Sequence, residues 1–244
     1  MQVHFISDLH LSADRPALTG VLERYLAGPA RRAGQLYILG DLFEHWAGDD
    51  DFEDPLNSAL ATRLAEVAGA GTELFFMAGN RDFLLGQAFA SRAGLKLLSE
   101  PTLIKLGEAP TLLCHGDALC TDDVAYQAFR SQVRHPAYQA QFLAQPLAAR
   151  KQFIAGVRMK SEQAKSGKAA SIMDVNDQAV AALLREHGYP RLIHGHTHRP
   201  NLHYHRVDAH DCERWVLSDW RDNPTVRGEV LVWDDGELTR QPLE

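Results

Sequence analysis

The stretch Leu36–Glu44, LYILGDLFE, decides the fold. Its four apolar residues, Leu36–Leu39, read as a short buried strand; Gly40 breaks the run, and Asp41 stands where strand gives way to loop. The same phrasing recurs along the chain. Val3–Ser7 leads into Asp8-Leu9-His10, Leu74–Ala78 into Gly79-Asn80, Leu112–Cys114 into His115-Gly116-Asp117, and Leu192–Ile193 into His194-Gly195-His196-Thr197-His198. Each apolar run therefore ends in residues able to bind a metal or carry a proton. Helical patterns follow several of these runs, over Pro16–Leu26, Leu56–Val67, Asp82–Ala90 and Asp174–His187. Strands alternating with helices predict a layered α/β domain whose strand carboxyl ends converge on one site.

From Asp122 to Ser171 this rhythm stops. Ala- and Gln-rich patterning, with Phe129, Val133, Phe142, Leu143, Leu147, Phe153 and Val157 as the apolar positions, predicts a helical insertion over 122–171 between core segments 1–121 and 172–244. The chain has a net charge of −7, yet Val124 to Lys168 holds eight basic residues (Arg130, Arg134, Arg150, Lys151, Arg158, Lys160, Lys165, Lys168) and one acid, Glu162. Something anionic is expected to dock there. After His198 the alternation of strands resumes over His203–Val207, Arg214–Leu217 and Arg227–Val232, with Asp234–Gly236 as a hairpin turn.

Composition sets the outer limits. With 244 residues, 45% hydrophobic and 23% charged, the chain can bury a substantial core and is unlike disordered or membrane-spanning sequences. Its acidic balance argues against nucleic acid as a partner. The three cysteines, Cys114, Cys120 and Cys212, fit neither a zinc ribbon nor a disulfide framework and are expected to be buried thiols in a reducing cytoplasm. Residues 1–10 show no basic flank or apolar signal region, and no run approaches the ~18 apolar residues of a spanning helix. A monomer that is neither secreted nor membrane-spanning is expected.

Each ligand-type residue alone has an ordinary structural role: Asp8 could cap a helix, Asn80 could sit in a turn, and a single buried histidine is usually a hydrogen-bonded core residue. Their joint placement at strand ends argues for a site. Carboxylate, imidazole and amide oxygen together suit a borderline divalent ion such as Mn²⁺, Fe²⁺, Zn²⁺ or Co²⁺. Two ions ~3.5–4 Å apart could share one carboxylate and stabilise an in-line displacement at phosphorus.

Asp8-Leu9-His10, GDLFE at 40–44, GNRD at 79–82, HGD at 115–117 and GHTH at 195–198, in this order, resemble the calcineurin-like metallophosphoesterase superfamily. Within it, GDLFEHW, GNRDFLLG, IMDVN, GHTHRP and the insertion with Ser161 and Lys168 are similar to the UDP-2,3-diacylglucosamine pyrophosphatases of bacterial lipid A biosynthesis. The resemblance implies a four-layer α/β/β/α sandwich with a helical lid over the site. It places Asp8, His10 and His198 on one ion and Asn80, His115 and His196 on the other, with Asp41 bridging. It implies catalytic roles for Asp41, Asn80, Arg81 and His196, and substrate contacts from Asn80, Arg81, Asp123, Ser161, Lys165, Lys168 and His196. The implied reaction is water attack on the α-phosphorus of UDP-2,3-diacylglucosamine, giving UMP and 2,3-diacylglucosamine 1-phosphate. His194 would face away from the ions in a supporting role.

Many members of the wider superfamily have histidine after the Gly-Asn pair, where this chain has Arg81. A phosphate monoester leaves a pyrophosphate as a stable anion, so a fixed guanidinium that stabilises charge suits it better than a proton donor. The basic, partly apolar insertion also suits peripheral attachment to the anionic cytoplasmic face of the bacterial inner membrane. Two alternatives remain open from the residues: a soluble diadenosine polyphosphate or cyclic-nucleotide hydrolase, and a non-catalytic interaction module on the same fold.

Overall fold

A computed structural model describes residues 1–165, 172 and 174–243, the side chains of 160–165 excepted. In the first sheet β1 (Val3–Ile6), β2 (Gln35–Ile38), β3 (Glu73–Met77) and β4 (Leu95–Leu98) are parallel, while β10 (Gly228–Asp234) and β11 (Glu237–Leu243) extend it antiparallel, in the order β11-β10-β1-β2-β3-β4. The second sheet, ordered β5-β6-β7-β9-β8, comprises β5 (Thr102–Leu106), β6 (Ala109–Leu113), β7 (Arg191–His194), β8 (Asn201–Val207) and β9 (His210–Val216), with β6, β7 and β9 parallel.

Alternation along the strands builds the layers. Val3 and Phe5 of β1, Tyr37 of β2 and Met77 of β3 meet Leu113 and Ile193 of the second sheet in a core between the two sheets. Ile6, Leu36 and Ile38 point to the other side, onto α1 (Pro16–Ala27), α2 (Pro55–Gly69) and α3 (Gln87–Ala93). On the far face of the second sheet, Leu112 and Leu192 pack on Val180 and Leu184 of α7 (Asp177–Glu186). The result is the four-layer α/β/β/α sandwich expected from the family resemblance.

The helices are determined locally as well as by burial. α1 starts at Pro16 and buries Leu18, Val21, Leu22, Tyr25 and Leu26, a single stripe at helical spacing. α2 is capped by Asp54, whose side chain accepts from the Leu56 N–H at 2.9 Å, and α7 by Asn176, which accepts from the N–H groups of Gln178 and Ala179. Between β6 and β7 lie three further helices, α4 (Val124–Val133), α5 (Pro136–Leu143) and α6 (Leu147–Lys165).

Two local expectations change. The helix read from Asp82 starts at Gln87, because the Asp82 carboxylate accepts backbone N–H groups from neighbouring loops and holds 82–86 out of helical geometry. β4 and β5 were not anticipated; each is short, and Leu97 and Leu103 leave them without a clean apolar face. The hairpin after Trp233 forms around Asp235 and Gly236, both with positive φ. All three cysteines are free and buried. No helix among the described residues is long and apolar enough to cross a membrane.

Candidate metal centre

The loops after β1, β2, β3, β6 and β7 meet at one end of the sandwich, so both sheets deliver their ligand-type residues to the same point. Backbone hydrogen bonds lace these loops together: Asp8 N–H to the Gly40 carbonyl at 3.1 Å, His10 to Asp41 at 2.9 Å, and Gly195 to His115 at 2.9 Å. Of nine non-glycine residues with positive φ among those described, five are Asp8, His10, Asp41, His196 and His198. The rest, Tyr189, Asp208, Ala209 and Asp235, lie outside these loops. Backbone strain is thus concentrated where the side chains must turn inward. Gly79 and Gly195 permit the crowding, since a Cβ at either would collide with the Asp41 or Asp8 carboxylate.

All seven residues expected as ligands are brought together. His10 Nε2 lies 3.2 Å from His198 Nε2 and 4.0 Å from Asp8 Oδ1, and His198 Nε2 lies 3.5 Å from that same oxygen. On the other side, the Asn80 side-chain oxygen is 3.0 Å from His115 Nε2 and 2.8 Å from His196 Nδ1. Asp41 stands between the groups, with Oδ2 3.7 Å from His10 Nε2 and Oδ1 3.7 Å from His115 Nε2. Asp8, His10 and His198 form one set of donor atoms close enough to share an ion, and Asp8, Asp41 and His115 another.

The electrostatics call for cations. Burial opposes charge at His115, yet Asp41, Asp117, Asp8 and Glu100 outweigh it and push its pKa up to about 9. At neighbouring His196, burial and the His115 charge lower the pKa to about 4. Burial also opposes ionisation of Asp8, but His198, His115 and His10 hold its carboxyl well below the usual carboxylate range. Asp8 Oδ1 is buried and has no hydrogen-bond partner among the described residues. A buried carboxylate oxygen without a donor, facing imidazole nitrogens, fits a divalent ion. The His115 orientation fits too: its Nδ1 donates to the Leu39 carbonyl at 2.8 Å, which turns Nε2 inward.

Several supporting residues carry no role in the sequence reading. Asp82, fully buried, accepts from Gly79 and Leu42 N–H at 2.8 Å each, tying the Asn80 loop to the Asp41 loop; burial and the Asp41 charge push its pKa up to about 6. Asp117 accepts from the Tyr126 hydroxyl at 2.6 Å and from Arg130 Nε at 2.8 Å, and Arg134 donates to the Gly79 carbonyl at 2.9 Å, so α4 docks directly on the ligand loops. Asp219 Oδ2 lies 3.5 Å from His198 Nδ1. Asp82 and Asp117 fall inside the quoted motifs GNRD and HGD, which is the available signal; Asp219, before a buried Trp220, offers none. His194 is fully buried, with Nδ1 2.9 Å from the Gly195 carbonyl and Nε2 3.1 Å from Arg214.

A cavity of about 580 Å³ opens beside the ligands. Asn80, Arg81, Asp123 and His196 line its polar end, joined by Arg158, while Phe83, Leu84, Tyr138, Phe142, Phe153 and Val157 give it an apolar body. Asp123 also caps α4 by accepting from Tyr126 N–H at 3.1 Å. Lys168 lies outside the described residues, as do the side chains of Ser161 and Lys165.

Residues 1–200 match the family profile of the calcineurin-like phosphoesterases. A protein of Aromatoleum aromaticum named UDP-2,3-diacylglucosamine hydrolase is 58% identical over 96% of this chain and 94% of its own length. Proteins of the same name from Xanthomonas oryzae pv. oryzae and Escherichia coli O81 are 48% and 46% identical, covering 99% and 100% of this chain and 99% and 100% of their own. A family profile over residues 1–200 and full-length relatives at 46–58% identity show that the chain belongs to the calcineurin-like phosphoesterase family.

Proposed function

We propose that the protein hydrolyses the pyrophosphate bond of UDP-2,3-diacylglucosamine, releasing UMP and 2,3-diacylglucosamine 1-phosphate in lipid A biosynthesis. The observation that carries this reading is an apolar cavity opening directly onto the ligand cluster, in a chain whose full-length relatives bear the name of that hydrolysis. A cavity lined by Phe83, Leu84, Phe142 and Phe153 suits acyl chains and would serve no purpose for a soluble dinucleotide.

On this reading Asp8, His10 and His198 hold one divalent ion and Asn80, His115 and His196 the other, Asp41 facing both, with Mn²⁺ as the metal. When bound, the two ions supply an activated water and neutralise phosphoryl charge. The remaining work belongs to the side chains. Asn80 and His196 orient the phosphorus, and Arg81, fixed by its backbone N–H donating to Asp41 Oδ1 at 2.8 Å, stabilises the departing anion. Asp123, Ser161, Lys165 and Lys168 contact the sugar and diphosphate. Segment 122–171 acts as a lid on a core of 1–121 and 172–244.

Exposed Val124, Phe153 and Met159, in a segment whose sequence is rich in Lys and Arg, support peripheral attachment to the cytoplasmic face of the inner membrane. The protein is proposed to act as a monomer. Flotation with anionic vesicles at low salt tests the attachment, and failure to float refutes it. The activity is tested by kcat/KM with Mn²⁺ on UDP-2,3-diacylglucosamine and on diadenosine tetraphosphate. Preference for the lipid nucleotide is expected, and preference for the dinucleotide would overturn the substrate. Reaction in ¹⁸O-water should label UMP; label in the lipid product would refute α-attack.

A further inference from the structure

Glu44 closes the motif at 40–44 and lies just outside the ligand cluster. Its place is fixed by backbone pairing between the first two ligand loops: Leu11 N–H donates to the Leu42 carbonyl at 3.0 Å and Glu44 N–H to the Leu11 carbonyl at 2.9 Å. This pairing sets the Glu44 side chain against the outer edge of His10.

The two carboxylate oxygens then divide their contacts. Oε2 lies 3.1 Å from His10 Nδ1, an ion-pair contact whose alignment falls short of a hydrogen bond, so this buried ring nitrogen turned away from the cluster has Glu44 as its near neighbour while His10 Nε2 faces His198 and Asp41. Oε1 lies 2.8 Å from the Arg158 guanidinium on α6 and 3.8 Å from Arg81, the residue after Asn80. One largely buried carboxylate therefore touches a ligand-type histidine, the loop carrying the cavity arginine, and a helix more than a hundred residues away in sequence.

We propose that Glu44 is a positioning residue that orients His10 for metal binding and anchors Arg158, so that docking of α6 and formation of the metal centre share one carboxylate. An imidazole that binds an ion through Nε2 must carry its proton on Nδ1, and a carboxylate there selects that tautomer, fixes the ring and makes Nε2 a better donor. The two guanidiniums, on the Oε1 side, leave Oε2 turned toward His10. Arg158 in turn gains a fixed partner that holds it at the mouth of the cavity.

This inference rests on the reading of Asp8, His10 and His198 as ligands of one ion. Metal-stripped Glu44→Gln, which keeps the shape and loses the charge, is titrated with Mn²⁺ by calorimetry beside the parent, Arg158→Gln, the double variant and His10→Ala. Glu44→Gln is expected to weaken one of two ions by 10- to 100-fold and leave the other near its parent affinity. The double variant should bind no more weakly than Glu44→Gln alone. Parent-like binding of both ions by Glu44→Gln, while His10→Ala loses one, overturns the role of Glu44 and spares the ligand assignment. Retention of both ions by His10→Ala overturns both. If Glu44→Gln does not fold, Glu44→Asp keeps the charge but falls short by a methylene; it should lose affinity at the same ion, and parent affinity there refutes the proposal.

Discussion

Replacing Asp82 by alanine should damage the metal centre without touching a single ligand. The carboxylate is fully buried and accepts two short backbone bonds, from Gly79 and Leu42 N–H at 2.8 Å each, with longer approaches from Asp41 at 3.3 Å and Phe43 at 3.4 Å. Each short charge-assisted bond contributes ~1.5–3 kcal/mol, and alanine leaves both donors buried and unpaired. Relief from burying a carboxylate offsets part of this, so a net loss of about 3 kcal/mol is expected. Asp82→Asn can satisfy one donor with its amide oxygen while its NH₂ confronts the other, for a loss of about 1–2 kcal/mol. Urea unfolding of the metal-loaded protein measures both, at unchanged m. The loops joined through Asp82 carry Asp41 and Asn80, so kcat should fall together with stability. An alanine variant within about 0.5 kcal/mol of the parent, with kcat intact, would refute the view that Asp82 holds the two loops in register.

Arg81→Ala should lose turnover on the pyrophosphate by at least ~100-fold while binding two metal equivalents by elemental analysis; unchanged turnover rejects the charge-stabilising role. Chelation should lower the melting temperature and added Mn²⁺ restore it, since free metal at a hundred times Kd contributes about 2.7 kcal/mol per ion. A melting temperature indifferent to metal would remove the ions from the folded state. Arg150, only 2% exposed, donates to the Gln145 carbonyl at 2.9 Å and pairs with Asp50 and the Ala47 carbonyl, so Arg150→Met should destabilise by ~2–4 kcal/mol in urea and raise KM more than it lowers kcat. His4 has its pKa lowered to about 4 by burial and the nearby Arg32 charge. The unfolded chain therefore takes up this proton first, and the stability from neutral His4, full above pH ~6.5, is lost as pH falls toward 4. His4→Gln should flatten the stability profile across that window, and an identical slope would count against it.

The cluster of proposed ligands was legible as a cluster because each member ends a strand or follows one in the next loop, and an apolar run stopping at glycine, aspartate or histidine is visible in one dimension. The layers were legible for a related reason. Val3 and Phe5 face one core and Ile6 another, which four-residue apolar runs can only do when both faces are buried. Asp82 misled because Asp-Phe-Leu-Leu reads as a helix start, whereas its carboxylate is committed to N–H groups as far back as Leu42. Glu44, Asp117 and Asp219 act through partners brought near only by folding: Arg158 from α6, Arg130 from α4 and His198 from the loop after β7. Long-range pairing of this kind leaves no period in the sequence.

The residue types of the proposed ligands are constrained twice over. Five ligand positions have left-handed backbone, which costs of order 1–3 kcal/mol each. Summed, this approaches the whole stability of an ordinary domain, ~5–15 kcal/mol. Aspartate, asparagine and histidine are also the non-glycine residues that tolerate this conformation best, so a position selected for coordination already lies at the low end of that cost. The remainder must be met by the loops themselves, through the ties from Asp8 to Gly40, His10 to Asp41, Trp220 to Asp8 and Gly195 to His115. Each tie joins two different ligand loops or a ligand loop to the chain beyond β9. No ligand is therefore held by its own segment alone. The centre forms only when both sheets have packed, and a substitution in any one loop is felt at ligands carried by the others.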